Sequence, residues 1–552
     1  MKVLIIGAGL TGLVAAGQMT GAFSEKFREN RQNIQIEIAG DGSGASPWVH
    51  GLNLPVHPQD SVEAFARDTI RNGYGLSDIR LVEALCSDSL SLLSDLKKIG
   101  VEFLRKGNEY ALLKPLGSTW PRVAGSGNHT GVDIIKRLTA YLKRQENVTF
   151  SPGMRALKLD VDEEGVKGAI AWDRRKGRMV YKEASCILLS CGGFCGIYPF
   201  STNFKDSGGD GIAMAYEAGA ELMDLEFVQF EPSVAIYPES LRGRSVITTM
   251  FYEGAVLRNG QMERFMGQEG SLECGECVGK DVLARAIAEE IRKGKGTAHG
   301  GVYFDATGVG RKKLEESYAS YVERYRKAGM DISKEPFEIA PAPHTSLGGI
   351  RIAPDCSTGV RGLYAAGEIA GGIHGAGRIG GNAGLETLVF GKRAGEAVLK
   401  VAGQEEWLVE ERKDKEQLCS AFINGDGLAR EELSTGRLVE IRREMEAVLQ
   451  ENLYLVRNRE GTQKAIRLLD RFEEELKGGF CKETPLEKYR LENDLTCAKL
   501  LARGAAMRSQ SVGCHVREDS DGGDFLYHVM IKKRNEDFKG APLCKKIGIE
   551  TS

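Results

Sequence analysis

Three glycines near the start of the chain, Gly7, Gly9 and Gly12, stand at GxGxxG spacing directly after the apolar residues 3–6. Between a strand and a helix, that spacing serves dinucleotide chemistry. The first glycine permits a tight turn, the second lets the backbone approach a pyrophosphate, and the third lets helix and strand pack closely. The helix N-terminus then points its unpaired N–H groups at the phosphates. Small and apolar residues from Leu10 to Met19 recur at helical spacing and supply that helix. A plain glycine turn has the same spacing, so the fingerprint counts only in this context.

An acidic residue at the end of the second strand would hold the adenosine ribose. That strand is expected over residues 34–39, and Asp41, just beyond it, is the candidate. Residues 186–190 form another buried-strand run, ending in Gly192 and Gly193. A third run, residues 362–367, delivers Glu368 at its C-terminal end, where the carboxylate could accept hydrogen bonds from ribityl hydroxyls. A helix N-cap is the other reading of Glu368. Residues 378–386, RIGGNAGLE, open a further helix around Gly381 and Asn382, and its positive end could stabilise a reduced, anionic flavin ring. Segments far apart in sequence thus converge on one cofactor, which favours FAD over NAD.

The elements around these segments predict an α/β protein. Residues 60–100 carry helical periodicity, and residues 148–181 alternate like antiparallel strands. Residues 238–339 are richer in charge and helical pattern and read as an insertion, while the part from residue 405 suits a helical bundle. The 552 residues predict about three domains. With 27% charged residues and a net charge of −3, the chain has no basic excess for gripping nucleic acid. The opening MKVLIIGAGLTG has the lysine and apolar run of a secretory signal, but its glycine spacing argues against one. No apolar stretch reaches the ~18 residues of a membrane span, so membrane contact would have to come through a partner. Twelve scattered cysteines, with one CxxC pair at Cys274 and Cys277, read as reduced thiols of a cytoplasmic protein. That pair is either a redox couple or a turn with two idle thiols. No metal site is expected.

Several segments then carry a family resemblance. Residues 209–220 (GDGIAMAYEAGA), 226–230 (EFVQF), Ala342-Pro343-His344 with Gly348-Gly349-Ile350, 364–367, 374–382 (HGAGRIGGN) and 514–519 (CHVRED) resemble the flavoprotein family of fumarate reductase, succinate dehydrogenase and L-aspartate oxidase. They run in the family's order over nearly the whole chain. The resemblance implies a Rossmann-like FAD-binding domain in two parts, 1–237 and 340–404, an α+β capping domain at 238–339 and a C-terminal helical domain at 405–552. It implies non-covalent FAD, since the family's attachment histidine has no counterpart and His50 falls about five positions too late. The implied cofactor residues are Gly7, Gly9, Gly12, Asp41, Gly192, Asp210, Glu368, Gly381 and Asn382.

In that family a hydride passes between flavin N5 and a carbon next to a carboxylate, while a side chain handles the proton on the neighbouring carbon. The resemblance makes His344 and Arg378 the carboxylate clamp; a histidine packed at a domain seam and an arginine paired with the C-terminal domain are the bland alternatives. Two positions depart from the family. Glu231 stands where a histidine is usual, and Lys280-Asp281 where arginine and aspartate are usual. The run 251–254 (FYEG) is also shortened. Lysine can still carry a proton, so Lys280 is the candidate donor, against a solvated surface lysine. Glu231 would repel a second carboxylate facing it, so the expected reaction is oxidation or reduction of the α,β bond, or of the C–N bond (enoate reduction, desaturation or amino-acid oxidation), in a small carboxylic acid with a polar or cationic far end rather than a simple dicarboxylate. The alternative is an electron-transfer subunit that works with a separate iron–sulfur protein, because this chain has no cluster-spaced cysteine array. A member that binds FAD but has lost catalysis is a third reading.

Overall fold

The computed structural model describes the chain except residues 25, 41, 43, 128, 268–274, 403, 405–406, 408–411, 425–430, 478, 482, 524, 534–541 and 549–552. Two expected residues, Asp41 and Cys274, lie outside the described part.

The apolar N-terminal run is the strand Lys2–Ile6, and its four apolar residues are all buried. An unbroken apolar strand belongs inside a parallel sheet covered on both faces. It sits at the centre of one, in the order Leu363–Ala365, Cys186–Leu189, Lys2–Ile6, Gln35–Gly40, Val148–Pro152. Every ladder in this sheet is parallel. The strand Val148–Pro152 therefore corrects the expectation of antiparallel pairing for that stretch. Antiparallel pairing starts only at Met154–Asp162, which pairs with Gly165–Asp173, itself paired with Arg178–Glu183. The helices Leu10–Thr20 and Asn382–Val401 pack on one another beside the parallel sheet. Because the sheet draws strands from three distant regions, the loops after their C-terminal ends gather along one edge, where open α/β sheets bind ligands.

The long insertion forms a second sheet, in the order Val228–Tyr237, Phe337–Ser346, Val302–Asp305, Val256–Arg258, all antiparallel. It has its own core, in which Phe304 stacks on Phe251 and Phe337. The two long strands of this sheet run back toward the parallel sheet and carry site residues at that end.

The helices Thr435–Asn452, Arg459–Lys477 and Pro485–Met507 build the C-terminal part. It is not wholly helical. The strands Tyr527–Lys532 and Leu543–Gly548 extend a mixed sheet through Leu222–Met223 and Gly349–Arg351, because the alternating apolar residues of Tyr527–Lys532 need a covered face. A buried charge knot fastens this part to the rest. Arg508, fully buried between the rings of Phe227 and Tyr527, donates to Glu226 Oε1 at 2.6 Å and Asp224 Oδ1 at 2.9 Å. The knot fixes the chain just ahead of the strand Val228–Tyr237, and so sets where Glu231 emerges. Among the described residues, no helix is long and apolar enough to cross a membrane.

A candidate active site where the two sheets meet

The glycines of the fingerprint are required by close packing. Gly7 has φ +120°, and a Cβ there would lie 2.3 Å from Ser190 O at the end of the neighbouring strand. A Cβ on Gly12 would lie 2.1 Å from Gly7 O, so the helix could not approach the turn. Gly9 caps the helix Leu10–Thr20 without a side-chain bond. Around this turn the structure assembles the other cofactor candidates. Gly192, with φ +80°, follows the Cys186–Leu189 strand and faces open space. Glu368 follows Leu363–Ala365 and accepts the Ser346 N–H at 3.2 Å. Gly381 (φ +92°) caps the helix Asn382–Val401. Asn382 is fully buried and accepts from Asn53 Nδ2 at 2.6 Å. Asn53 also donates to Gly380 O at 2.8 Å, so it braces the loop that opens this helix. Nothing in the glycine pattern points to it.

Asp210 does not join this group. Arg155 and Asn493 engage its two carboxylate oxygens, with Arg155 Nε at 2.8 Å and Asn493 Nδ2 at 2.9 Å. It is a buried tie between the antiparallel ladder and the C-terminal helices. Cys277 also departs from expectation. It is disulfide-bonded, whereas the other ten described cysteines are free thiols.

The residues present fit a bound flavin nucleotide. A glycine turn leads into a helix N-terminus, Gly192 borders open space, and several buried polar atoms have no protein partner, among them Asn53 Oδ1, Gln229 Oε1 and His374 Nδ1. Burial pushes the Glu368 carboxyl up to about 7, as expected for an acceptor that lacks hydroxyl donors. In the cofactor-free protein this raised pKa means that the folded state binds more protons than the unfolded state between the ordinary value of 4.5 and about 7. The Glu368 contribution to stability is therefore lost as pH rises through that window. Glu368→Gln should weaken FAD binding by about 1.5–3 kcal/mol, the worth of hydrogen bonds to a charged acceptor. It should also make the apoprotein more heat-resistant than the parent, by a margin that grows from about pH 5 to about pH 8. Melting curves of both apoproteins across that range check this; parallel curves would refute it.

The substrate side is set by strand register. In the ladder between Val228–Tyr237 and Phe337–Ser346, Gln229 faces Thr345, Phe230 faces Pro343 and Glu231 faces Ala342, which places Glu231 beside His344. The Glu231 Oε2 to His344 Nε2 distance is 3.9 Å. Gln229 Nε2 donates to Arg378 O at 3.1 Å and so anchors the clamp loop to the same strand. Arg378, 7% exposed, reaches Ile379 O at 3.2 Å and Thr345 Oγ1 at 3.4 Å, while its buried Nε has no partner among the described residues. Arg378 makes no ion pair with a described carboxylate. It is a desolvated cation with spare donors. His344 Nδ1 pairs with Thr202 Oγ1 at 2.7 Å. The Thr202 hydroxyl also lies 3.3 Å from Pro343 O; in the tautomer in which it donates to Nδ1 instead, Nε2 carries the ring proton toward the cleft. Desolvation deep in the cleft, then the charges of Lys280 and Arg378, hold the imidazole well below its usual pKa, so it is neutral at neutral pH.

Lys280 starts the helix Lys280–Glu290, which packs on the Val228–Tyr237 strand, and its Nζ forms an ion pair with Glu231 Oε2. Among the described residues, the other oxygen of Glu231 has only the Ser233 hydroxyl, at 3.5 Å, and that hydroxyl lies closer to Val246 O, at 2.8 Å. The two positions that depart from the expected pattern thus contact one another, 49 residues apart in sequence.

A Rossmann-like sheet with its glycine turn, and a buried guanidinium near a lysine–carboxylate pair held between a helix and a strand of the second sheet, are the features of a flavoprotein oxidoreductase. Residues 2–383 match the family model described as FAD binding domain, and residues 442–543 match the fumarate reductase flavoprotein C-terminal model. The chain belongs to this family of FAD-dependent oxidoreductases, which includes fumarate reductase flavoproteins and L-aspartate oxidase. It is 36% identical over 531 residues to a subunit of the fumarate reductase (CoM/CoB) of Methanothermobacter marburgensis, covering 94% of each chain. It is 30% identical to the L-aspartate oxidase of Agrobacterium fabrum, covering 94% of this chain and 90% of that one. A solved structure of the quinol fumarate reductase protein FrdA of E. coli superposes with a TM-score of 0.88 at 25% identity, covering 100% of this chain and 97% of that chain.

Proposed function

We propose that this enzyme reduces or forms the carbon–carbon double bond next to the carboxylate of a small carboxylic acid. FAD, when bound, supplies or accepts the hydride. Arg378 and the His344 N–H grip the carboxylate, which fixes the reacting carbon and excludes water from its neighbourhood. Lys280 carries the proton at the adjacent carbon, and Glu231 holds its ammonium in place. The insertion acts as the cap over the cleft. The observation that carries this reading is Arg378, a buried guanidinium with an unused Nε and no carboxylate partner among the described residues.

Charge pairing narrows the substrate. Lys280 and Glu231 neutralise one another and His344 is neutral, so of these four groups Arg378 alone offers a positive charge to a carboxylate, with Glu368 and Glu386 acting on it from the cofactor side. Glu231 Oε1, held among the described residues only by Ser233, accepts from a polar group at the far end. A second reading, fumarate as substrate with electrons delivered by an iron–sulfur partner, is favoured by the Methanothermobacter marburgensis relative, which is named a fumarate reductase. One measurement decides. The photoreduced protein is mixed with crotonate, 4-hydroxycrotonate and fumarate, and flavin reoxidation is followed. We expect 4-hydroxycrotonate to be fastest, by roughly 10-fold or more over fumarate, the factor for leaving a buried polar group unmatched. Faster reoxidation by fumarate selects the second reading, and reoxidation by none of the three refutes the carboxylate chemistry.

A further inference from the structure

One contact joins the clamp loop to the helix that begins at Lys280, and no part of the proposed chemistry uses it. Tyr74 follows the helix Val62–Asn72 in a tight turn and has φ 58°, in the left-handed region that bulky side chains rarely adopt. Such a backbone persists only when its surroundings fix it. Here they do. Ala376 N–H donates to Gly73 O at 3.1 Å, which fastens the turn to the clamp loop. The Tyr74 ring lies against Gly377, where a Cβ would come within 3.2 Å of Tyr74 Cε2. Gly377 is the residue before Arg378. The turn and the clamp loop are therefore one rigid unit.

From that unit the Tyr74 hydroxyl reaches across to the insertion and donates a hydrogen bond to Asp281 Oδ2. Asp281 is buried in the first turn of the helix Lys280–Glu290, next to Lys280. Burial and the Asp281 charge raise the phenol pKa, so Tyr74 stays protonated and remains a donor. The same helix touches the C-terminal part at its far side, through Arg285 to Gly513 O at 3.4 Å and, beyond its end, Arg292 to Glu518 at 3.7 Å. The Arg285 contact is long and lies close enough to Tyr74 for its charge to act on the phenol, whereas the Arg292 contact lies beyond the far end of the helix. Tyr74 and Asp281 also line a cavity of about 550 Å³ at this seam, together with Gly279 and Cys277. Besides its packing on the Val228–Tyr237 strand and the Lys280–Glu231 ion pair, the helix start is thus tied to the clamp loop by the Tyr74–Asp281 bond at the edge of this cavity.

We propose that Tyr74 is a positioning residue, a strut that docks the Lys280 end of the inserted helix onto the Arg378 loop and thereby holds the proton carrier at a fixed distance from the carboxylate clamp. The strut rests on the assignment of Lys280 as proton carrier. Its loss lets the helix start drift, and a misplacement of about 1 Å costs proton transfer up to roughly 100-fold. Carboxylate binding, which rests on Arg378 and His344, stays intact.

The test uses the FAD-loaded protein with Tyr74→Phe, Asp281→Ala and the double variant. Dithionite reduces the flavin, and its reoxidation by crotonate, 4-hydroxycrotonate and fumarate is followed by stopped flow. We expect FAD content and dithionite reduction to be unchanged, the maximal reoxidation rate to fall about 10- to 100-fold in each single variant, and the half-saturating concentration to move less than about threefold. The double variant should be no slower than the slower single one, because both remove the same bond. A Tyr74→Phe rate within twofold of the parent, additive losses in the double variant, or loss of FAD overturns the strut. Amide hydrogen exchange needs no substrate: protection of residues 280–284 should fall in Tyr74→Phe, and unchanged protection also overturns it. Lys280→Met in the same assay separates the two ideas. Full activity there removes Lys280 and the strut with it, whereas an inactive Lys280→Met beside a fully active Tyr74→Phe removes the strut alone.

Discussion

Lys280→Met should bind FAD normally and reoxidise its reduced flavin about 10²- to 10⁴-fold more slowly at saturating acceptor, the usual worth of a positioned proton carrier. Methionine keeps much of the lysine stem, so the packing of the helix start on the Val228–Tyr237 strand survives. The single variant carries a second cost. Glu231 is 4% exposed and loses its ion-pair partner, and an uncompensated buried charge of this kind costs about 3–5 kcal/mol. A lower melting temperature would therefore accompany the lost activity and confuse its cause. The double variant Lys280→Met/Glu231→Gln removes both charges and should recover most of the stability while recovering none of the rate. Return of the rate along with stability would show that Lys280 serves the fold and carries no proton.

Arg378→Lys should lower kcat/KM by about 10²- to 10³-fold with FAD still bound, the loss seen when one preorganised donor is removed from a charged centre. The guanidinium offers a planar fork of donors, and its backbone is fixed by Gln229, so the fork is aimed before any substrate arrives. An ammonium at the end of a flexible stem reproduces the charge and not the geometry. Steady-state kinetics with the best acceptor measures the effect, and the flavin spectrum reports whether the cofactor site is intact. Unchanged kinetics would remove Arg378 from the substrate site and with it the carboxylate reading.

The sequence by itself determined the cofactor class and the fold class. Gly7, Gly9 and Gly12 after an apolar strand are short-range features, and short-range stereochemistry alone demands them: the Gly7 and Gly12 positions have no room for a Cβ. The strands ending near Gly192 and Glu368 were legible for the same reason, as unbroken apolar runs closed by glycine. The pairing of Val148–Pro152 was not legible, because five residues with an alternating pattern suit either a parallel edge or an antiparallel ladder, and the neighbouring strand Gln35–Gly40 decides. The C-terminal strands went unseen beside long helical patterns, since a strand of six residues acquires its meaning from the sheet edge it covers.

Charged side chains were the least legible. Asp210 and Glu231 both stand out in the sequence, yet which partner each meets depends on chain segments up to 283 residues away. Asp210 met Arg155 and Asn493 and became a structural tie. Glu231 met Lys280, which turned two isolated departures into one neutral pair and changed the charge presented to a substrate. Tyr74 gave no signal at all, because nothing local marks a tyrosine whose hydroxyl crosses to another part of the chain. Electrostatic energy depends on distance and on the exclusion of water, and only the tertiary structure supplies both.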